Sequence, residues 1–179
     1  MDEGLDTGNM IFKAEVEISE TETGESLHDK LATTGAGLCV KTLEALLHGE
    51  ATFERQGETT TPYAKMLTKE MGNIDWTKSA VDIERLVRGL NSWPCAYTYW
   101  GDKMLKIWMA KADMQSNAND GDASVQPGTV TTVTKDGFSV QTGEGILNIL
   151  ELQIPGKKRM QADAFLRGYP LSTGTVFAS

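Results

Sequence analysis

The sequence predicts an α+β fold in which a strand and a long helix precede a small β-barrel. Three observations lead to this prediction. Apolar residues recur at helical spacing from Leu27 to Leu47 and again from Ile83 to Leu90. Five short strand-like stretches separated by glycine turns follow between Ala96 and Ile154. A chain of 179 residues is long enough to bury one medium core or two small ones.

The first elements are a strand and a helix. Apolar and charged side chains alternate over most of the stretch from Ile11 to Ile18, which is typical of a half-exposed strand. Ser26, followed by Asp29 three residues later, indicates a helix start, and the wide apolar stripe behind it ends at Gly49. A long amphipathic helix is therefore expected between these residues.

A second helix precedes the β-rich half. Ser79 and Asp82 form a cap pair, and the side chains of Ile83, Leu86, Val87 and Leu90 fall on one face of the helix that follows. We expect this helix to end before Pro94, because a proline ring disfavours helical geometry at the preceding residue.

The remaining residues favour a small closed or half-closed barrel with a short helix packed across it. A polar, mobile loop is expected from Asp113 to Gly128. The predicted strands are Ala96 to Trp100, Lys103 to Ala112, Thr129 to Thr134, Phe138 to Thr142 and Ile146 to Ile154. The short helix runs from Met160 to Arg167 and is closed by Gly168.

Charge and composition narrow the classes of protein. The net charge of -8 belongs to residues 1 to 92, which hold 9 Lys and Arg against 17 Asp and Glu, while the rest of the chain is neutral. This acidity argues against nonspecific nucleic-acid binding by the first half. The sequence has neither an apolar run long enough for a bilayer nor a signal peptide, which favours the cytoplasm. Cys39 and Cys95 lack metal-like spacing, so two reduced thiols and no metal are expected.

A cluster of cations is the first candidate site. Lys157, Lys158 and Arg159 are adjacent, and three neighbouring positive charges at a barrel rim can hold phosphate groups. An ordinary solvated loop is the alternative explanation. Further cations that could extend the cluster are Lys103, Lys106, Lys111 and Arg167.

Aromatic residues are also concentrated in the β-rich half. They could stack on nucleotide bases, but cross-strand packing is the more common role of tryptophan and tyrosine in hairpins. The residues concerned are Trp93, Tyr97, Tyr99, Trp100 and Trp108. Alternation puts Ile107 and Met109 on one face of their strand and Lys106, Trp108 and Ala110 on the other, without deciding which face points inward.

The order of six motifs gives a family resemblance. They are MDEGLDTG at the start, MLTKEMGNIDW from Met66, LNSWPCAYT from Leu90, KIWMA from Lys106, GEGILNILELQ from Gly143, and PGKKRM from Pro155. Together they resemble the C-terminal half to two-thirds of the methionyl-tRNA formyltransferases. The sequence departs from the family pattern at Asn9, where an acid or proline is common, and at Cys95, where glycine is common.

The resemblance implies a specific domain organisation. Residues 1-70 would be the C-terminal portion of a Rossmann-like α/β formyltransferase domain, 71-92 a helical linker, and 93-179 a C-terminal barrel domain like the oligonucleotide/oligosaccharide-binding (OB) fold. It also implies that the chain begins within an active site and lacks the N-terminal catalytic half. The oligomeric state is not implied.

The resemblance further implies a reaction. The parent enzyme would transfer a formyl group from 10-formyltetrahydrofolate to the α-amino group of initiator methionyl-tRNA, without a metal. Asp6 corresponds to the catalytic carboxylate of the family's GLDTG loop, while the Asn and His that act with it have no counterpart before it. Asp6 could otherwise be a simple turn former. The expectation is that this chain alone is inactive.

Partners follow from the same resemblance. The barrel and linker would contact the acceptor arm of the tRNA, through Lys157, Lys158, Arg159, Lys106, Lys111 and Arg167. Two alternatives are open: an RNA-binding or protein-interaction module without chemistry of its own, and part of a related enzyme, such as a sugar-nucleotide formyltransferase or a formyltetrahydrofolate dehydrogenase.

Overall fold

The computed structural model describes residues 2–57, 61–114 and 125–179, and the chain divides into two compact units at Met66 and Leu67. The predicted division at residues 70 and 92 stays a prediction. Elements of the described residues are α1 (Gly24–His48), a 3₁₀ turn (Glu70–Gly72), α2 (Ala80–Gly89), β1 (Ala96–Trp100), β2 (Lys103–Asp113), β3 (Val130–Val133), β4 (Phe138–Gln141), β5 (Ile146–Gln153), β6 (Met160–Gln161) and α3 (Ala162–Gly168).

The first unit is built around α1. The helix is capped by Thr23, three residues before the predicted cap Ser26, because the Thr23 side chain accepts a hydrogen bond from the Ser26 backbone amide at 3.1 Å. The Ser26 hydroxyl in turn accepts a hydrogen bond of 3.0 Å from the Thr23 backbone amide, and the two residues form a capping box. The predicted end is confirmed, since Gly49 adopts a left-handed conformation with φ 72°.

Most of the apolar stripe of α1 is exposed. Only Ala45 is buried on the helix itself. The exposed apolar residues of the stripe are Leu31, Val40, Leu43, Leu46 and Leu47. Helix propensity and capping define α1 locally, while its apolar face lacks the cover that would normally stabilise an amphipathic helix.

The predicted strand from Ile11 to Ile18 is wrong. Among the described residues, the backbone pairing next to this stretch is a single bridge in which Met10 and Glu54 exchange two hydrogen bonds of 2.8 Å. Residues 11 to 18 are extended beside α1 without a ladder of their own. Alternation alone does not make a strand, because the backbone groups also need a neighbouring strand.

The second unit is an antiparallel sheet flanked by α2 and α3. Its strand order is β1-β2-β5-β4-β3, and β6 pairs with β5. The five predicted strands are confirmed with shifts of at most one residue at each end, and β6 was missed. The predicted loop from Asp113 to Gly128 begins later than expected, because Asp113 still belongs to β2; residues 115–124 lie outside the described part of the chain.

The predicted second helix is confirmed. The hydroxyl of Ser79 accepts from the Asp82 amide at 3.1 Å, and α2 buries Ala80, Ile83 and Val87. The side chains of Ile83 and Val87 join the main core, which also contains Leu105, Ile107, Val130, Phe138, Val140, Leu147, Ile149, Leu152, Phe165 and Phe177. The predicted short helix is α3, which starts two residues late because Met160 and Gln161 pair with β5.

The C-terminal segment bonds to both edge strands of the sheet. Val130 donates to the Thr175 carbonyl at 2.7 Å, and Phe177 donates to the Gly128 carbonyl at 2.8 Å. On the other side, Ala178 and Tyr99 exchange two hydrogen bonds of 3.0 Å. These contacts link β3 to β1 through residues 174 to 178, so both exposed edges acquire partners.

Two contacts hold Trp76 and Thr77 against the sheet. Trp76 is buried and donates its indole N–H to the Thr98 hydroxyl at 3.0 Å. A Cβ at Gly143 would lie 1.8 Å from the Thr77 carbonyl oxygen, so only glycine permits this approach.

Neither described cysteine is bonded to another: Cys39 is exposed and Cys95 is buried. Within the described residues, no helix is long and apolar enough to cross a membrane.

Candidate functional site

The loop with the predicted catalytic carboxylate is exposed. Asp6 lies in a turn and has a left-handed backbone with φ 57°. Within the described part of the chain, its carboxylate makes no hydrogen bond or ion pair. A surface cavity of about 280 Å³ lies in the same region and is lined by Asp2, Thr7, Gly8, Asn9, Ile11 and Phe53.

Residues around Asp6 hold this loop in place. Gln56 donates its side-chain amide to the Gly8 carbonyl at 2.7 Å. The Glu3 amide donates to the Asp2 carboxylate at 2.8 Å. This bond, together with one from the Thr7 hydroxyl, lowers the pKa of Asp2 below its usual value. The turn-former alternative therefore describes Asp2 better than Asp6, because Asp2 is the carboxylate that bonds to nearby backbone.

The cationic triplet lies in the loop between β5 and β6. All three residues are exposed, but they differ in their contacts. Arg159 forms an ion pair with Glu151, and its guanidinium carbon lies 4.8 Å from the ring centre of Trp108. The Lys157 carbonyl accepts a hydrogen bond of 2.8 Å from Gln153. The loop is thus tied to strands β2 and β5 through Trp108, Glu151 and Gln153.

Trp108 occupies an irregular position in β2. Its neighbours Ile107 and Met109 pair with Leu152 and Glu151, which are adjacent, so Trp108 is the extra residue of a β-bulge. Beyond the bulge the alternation changes, and Met109 is exposed while Ala110 is buried. The alternation predicted from the sequence therefore fails after Trp108, because Met109 does not share the buried face of Ile107 and Ala110 does.

Lys106 and Lys111 lie on β2 on either side of the bulge. Lys106 is opposite Gln153 and Lys111 is opposite Asn148 in the β2–β5 register. Lys106 also lines a cavity of about 250 Å³ with Met104, Gln153, Ile154, Pro155 and Gly156. The structure thus brings Lys106 and the loop of the cationic triplet to one cavity.

The other two predicted cations have different surroundings. Arg167 lies on α3 and pairs with Asp163 one turn earlier at 2.7 Å. This ion pair and the Ala164 amide lower the pKa of Asp163. Lys103 lies above the rings of Trp100 and Tyr169 at 5.6 and 5.9 Å. Neither residue is among those that line the Lys106 cavity.

Three of the five predicted aromatic residues pack against other aromatic rings. Tyr97 and Tyr99 form an edge-to-face pair at 5.8 Å, and Trp100 contacts Phe165 and Tyr169. Trp93 is 56% exposed. The sequence indicated Trp108 as a candidate but not Gln153, which binds it, or Glu151, which pairs with Arg159, because a bulge leaves no signal in strand alternation.

Among the described residues, no group of three or more His, Cys, Asp or Glu could hold a metal ion.

Comparisons with known proteins identify the family. The model of the formyl transferase C-terminal domain matches residues 66–170. A methionyl-tRNA formyltransferase of Agathobacter rectalis is 46% identical over 99% of this chain, and one of Lachnospira eligens is 47% identical over 98%. The chain spans about half the length of these relatives, 55 and 56% respectively.

Solved structures share the fold at lower identity. A variant of HypX from Aquifex aeolicus matches 96% of this chain and 30% of its own chain, with a TM-score of 0.63 and 18% identity. HypX in complex with tetrahydrofolic acid matches 70% of this chain and 21% of its own, with a TM-score of 0.50 and 19% identity. The family model, which matches residues 66–170, covers the strands from β1 to β6. The chain therefore belongs to the formyl transferase C-terminal domain family.

Proposed function

We propose that this chain acts as the C-terminal part of a methionyl-tRNA formyltransferase. The observation that carries this proposal is the 46% identity to such an enzyme over 99% of the chain. The whole enzyme would move a formyl group from 10-formyltetrahydrofolate to the amino group of initiator methionyl-tRNA in the cytoplasm. The tetrahydrofolic acid bound in a HypX structure of the same fold supports a folate donor.

The proposed domain organisation follows the family. Residues 1-70 would complete a Rossmann-like catalytic domain, 71-92 would form the linker, and 93-179 would form an OB-like barrel. The barrel is supported by the hydrogen bonds through which residues 174 to 178 join β3 to β1.

Asp6 is the proposed catalytic residue. When the amine attacks the formyl carbon, a tetrahedral oxyanion forms and the amine must lose a proton. An exposed carboxylate without a partner among the described residues can accept that proton directly or through water. Donors that steady the oxyanion would come from the part of the enzyme that precedes Asp6 in the relatives.

Formylation assays test the catalytic part of the proposal. The purified chain, 10-formyltetrahydrofolate and charged initiator tRNA should give no formylmethionyl-tRNA. In an enzyme completed with the N-terminal part of a relative, Asp6→Asn should reduce the rate at least about 100-fold, because a general base contributes roughly 10²–10⁴-fold. Asp2→Asn is the matched control in the same loop. Turnover by the chain alone, or an active Asp6→Asn enzyme, would contradict the proposal.

The proposed tRNA contacts are Lys157, Lys158, Arg159, Lys106, Lys111 and Arg167. Support comes from the cavity shared by Lys106 and the loop that precedes Lys157. Because each neutralised phosphate releases counterions, Lys157→Gln/Lys158→Gln should weaken tRNA binding and lower the salt slope by up to about 2. Lys78→Gln/Arg85→Gln, which removes two exposed cations near α2, is the control. If both double variants bind tRNA with equal affinity and equal salt dependence, Lys157 and Lys158 do not contact the tRNA.

A further inference from the structure

Arg159 is constrained in a way that its two lysine neighbours are not. Its guanidinium stacks on Trp108 at 4.8 Å and pairs with Glu151, whose side chain is only 13% exposed. The paired Glu151 carboxylate offsets much of the positive charge of Arg159 that a phosphate would meet. The Arg159 side chain is nevertheless partly accessible, because 41% of it is exposed.

The tryptophan under Arg159 is itself held in place. Its indole N–H donates to the Gln153 side-chain carbonyl at 3.1 Å, and the Gln153 amide donates to the Lys157 carbonyl at 2.8 Å. The bulge in β2 presents this ring on the side of the sheet that carries the triplet loop. Trp108 and Arg159 are therefore both held in place by bonds to neighbouring side chains.

The stack lies next to the cavity lined by Lys106. Gln153 belongs to both features, because it lines the cavity and bonds to Trp108. The cavity walls combine apolar Met104, Ile154 and Pro155 with one cation. Such a wall accepts the flat, largely apolar face of a base, and nearby lysines can balance its phosphate.

We infer that Arg159, supported by Trp108 and Glu151, is a stacking platform for one unpaired nucleobase of the bound RNA. This inference rests on the proposed function and changes the role of Arg159 within it, from a phosphate contact to a base contact. Arginine planes stack on bases in single-stranded RNA, whereas lysine offers a point charge without a plane. Lys157 and Lys158 keep the phosphate role.

The experiment compares two RNA ligands of equal charge. One is a single-stranded oligoadenylate, and the other is a blunt, fully paired duplex without unpaired bases. Arg159→Lys keeps the charge and removes the plane, so it should weaken oligoadenylate binding about tenfold, as expected for one lost base stack. Binding of the duplex should change less than twofold. Arg85→Lys, another exposed arginine paired with a carboxylate, is the matched control.

Tryptophan fluorescence provides a second measurement. Oligoadenylate should quench the wild-type signal, and Trp108→Phe should lose most of that quenching while its melting temperature shows that the fold is retained. Equal weakening of both ligands by Arg159→Lys, or no weakening, would overturn the inference while leaving the proposed function standing. If the wild-type chain binds neither RNA nor initiator tRNA, the proposed function and the inference both fail.

Discussion

Cys95 shows how a single residue can carry a conformational cost. It is the residue after Pro94, it is 1% exposed, and its φ of 72° lies in the left-handed region that favours glycine. The family resemblance implies glycine at this position, and the left-handed backbone agrees with that expectation. A Cβ in this region costs roughly 1–2 kcal/mol, because it approaches the following carbonyl oxygen.

Comparing Cys95→Gly with Cys95→Ala isolates this cost. Both substitutions remove the thiol, but only alanine keeps the Cβ. The glycine variant should therefore be more stable by about 1 kcal/mol, measured by urea unfolding. Gly35→Ala is the reverse control, since Gly35 lies inside α1 with open space around it and alanine should stabilise the helix. A Cys95→Ala variant as stable as Cys95→Gly would contradict the explanation.

At the scale of elements, the start of α1 depends on a buried carboxylate. Glu22, which is 7% exposed, accepts hydrogen bonds from Lys30 and from the Ser26 hydroxyl. These partners, Lys30 first and Ser26 second, lower the pKa of Glu22 from 4.5 to about 2. A negative charge at this position also interacts favourably with the helix N-terminus.

The lowered pKa of Glu22 predicts an acid-sensitive helix start. Because the folded pKa lies below the unfolded value of 4.5, the stabilisation is complete above pH 4.5 and is lost as the pH falls toward 2. Hydrogen exchange at the Ser26 amide should therefore accelerate, relative to its unfolded-chain rate, over this range. Glu22→Gln should remove the pH dependence, whereas Glu44→Gln, at an exposed position of the same helix, should retain it. Identical profiles for the two variants would exclude Glu22 as the cause.

The contact between Trp76 and the β4–β5 turn gives a second prediction at this scale. Gly143 donates to the Trp76 carbonyl at 2.9 Å, and a Cβ there would meet backbone rather than a side chain that can move. Gly143→Ala should cost about 1–3 kcal/mol, the range for overpacked sites. Gly89→Ala, where nothing lies within 4 Å, should not destabilise the fold. Thermal unfolding of the two variants distinguishes these outcomes.

For the molecule as a whole, the two units differ in how well they bury apolar residues. The second unit contains nearly the whole buried core, whereas the first exposes Leu31, Val40, Leu43, Leu46 and Leu47 on one helix. Contiguous exposed apolar surface favours association with other surfaces. The first unit is therefore the part of this chain whose stability depends most on additional contacts.

Self-association of the chain should depend on this exposed face. Leu43→Gln/Leu47→Gln removes two neighbouring leucines one turn apart, so it should lower dye binding to apolar surface and shift sedimentation toward the monomer. Met66→Gln is the control, because Met66 is 88% exposed but lies outside α1. Unchanged sedimentation of the double variant would exclude the α1 face as the cause of association.

A structural feature could be predicted from the sequence when it depends on residues that are close together in the chain. The sequence alone determined α2, the end of α1 and the five strands, because caps, turn glycines and alternation act within a few residues. The order of its motifs also determined the family. For the site, the sequence identified Trp108 and the cationic triplet as candidates, but not the contact between them.

Tertiary structure decided the features that join distant residues. The Trp108 bulge, the contact of Arg159 with Trp108 and the bonds of residues 174 to 178 with both sheet edges all require partners far apart in the sequence. The stretch from Ile11 to Ile18 fails as a strand for the same reason, since its alternation was visible but its partners were not. Backbone hydrogen bonding and burial are satisfied between elements, so a single stretch of sequence does not specify them.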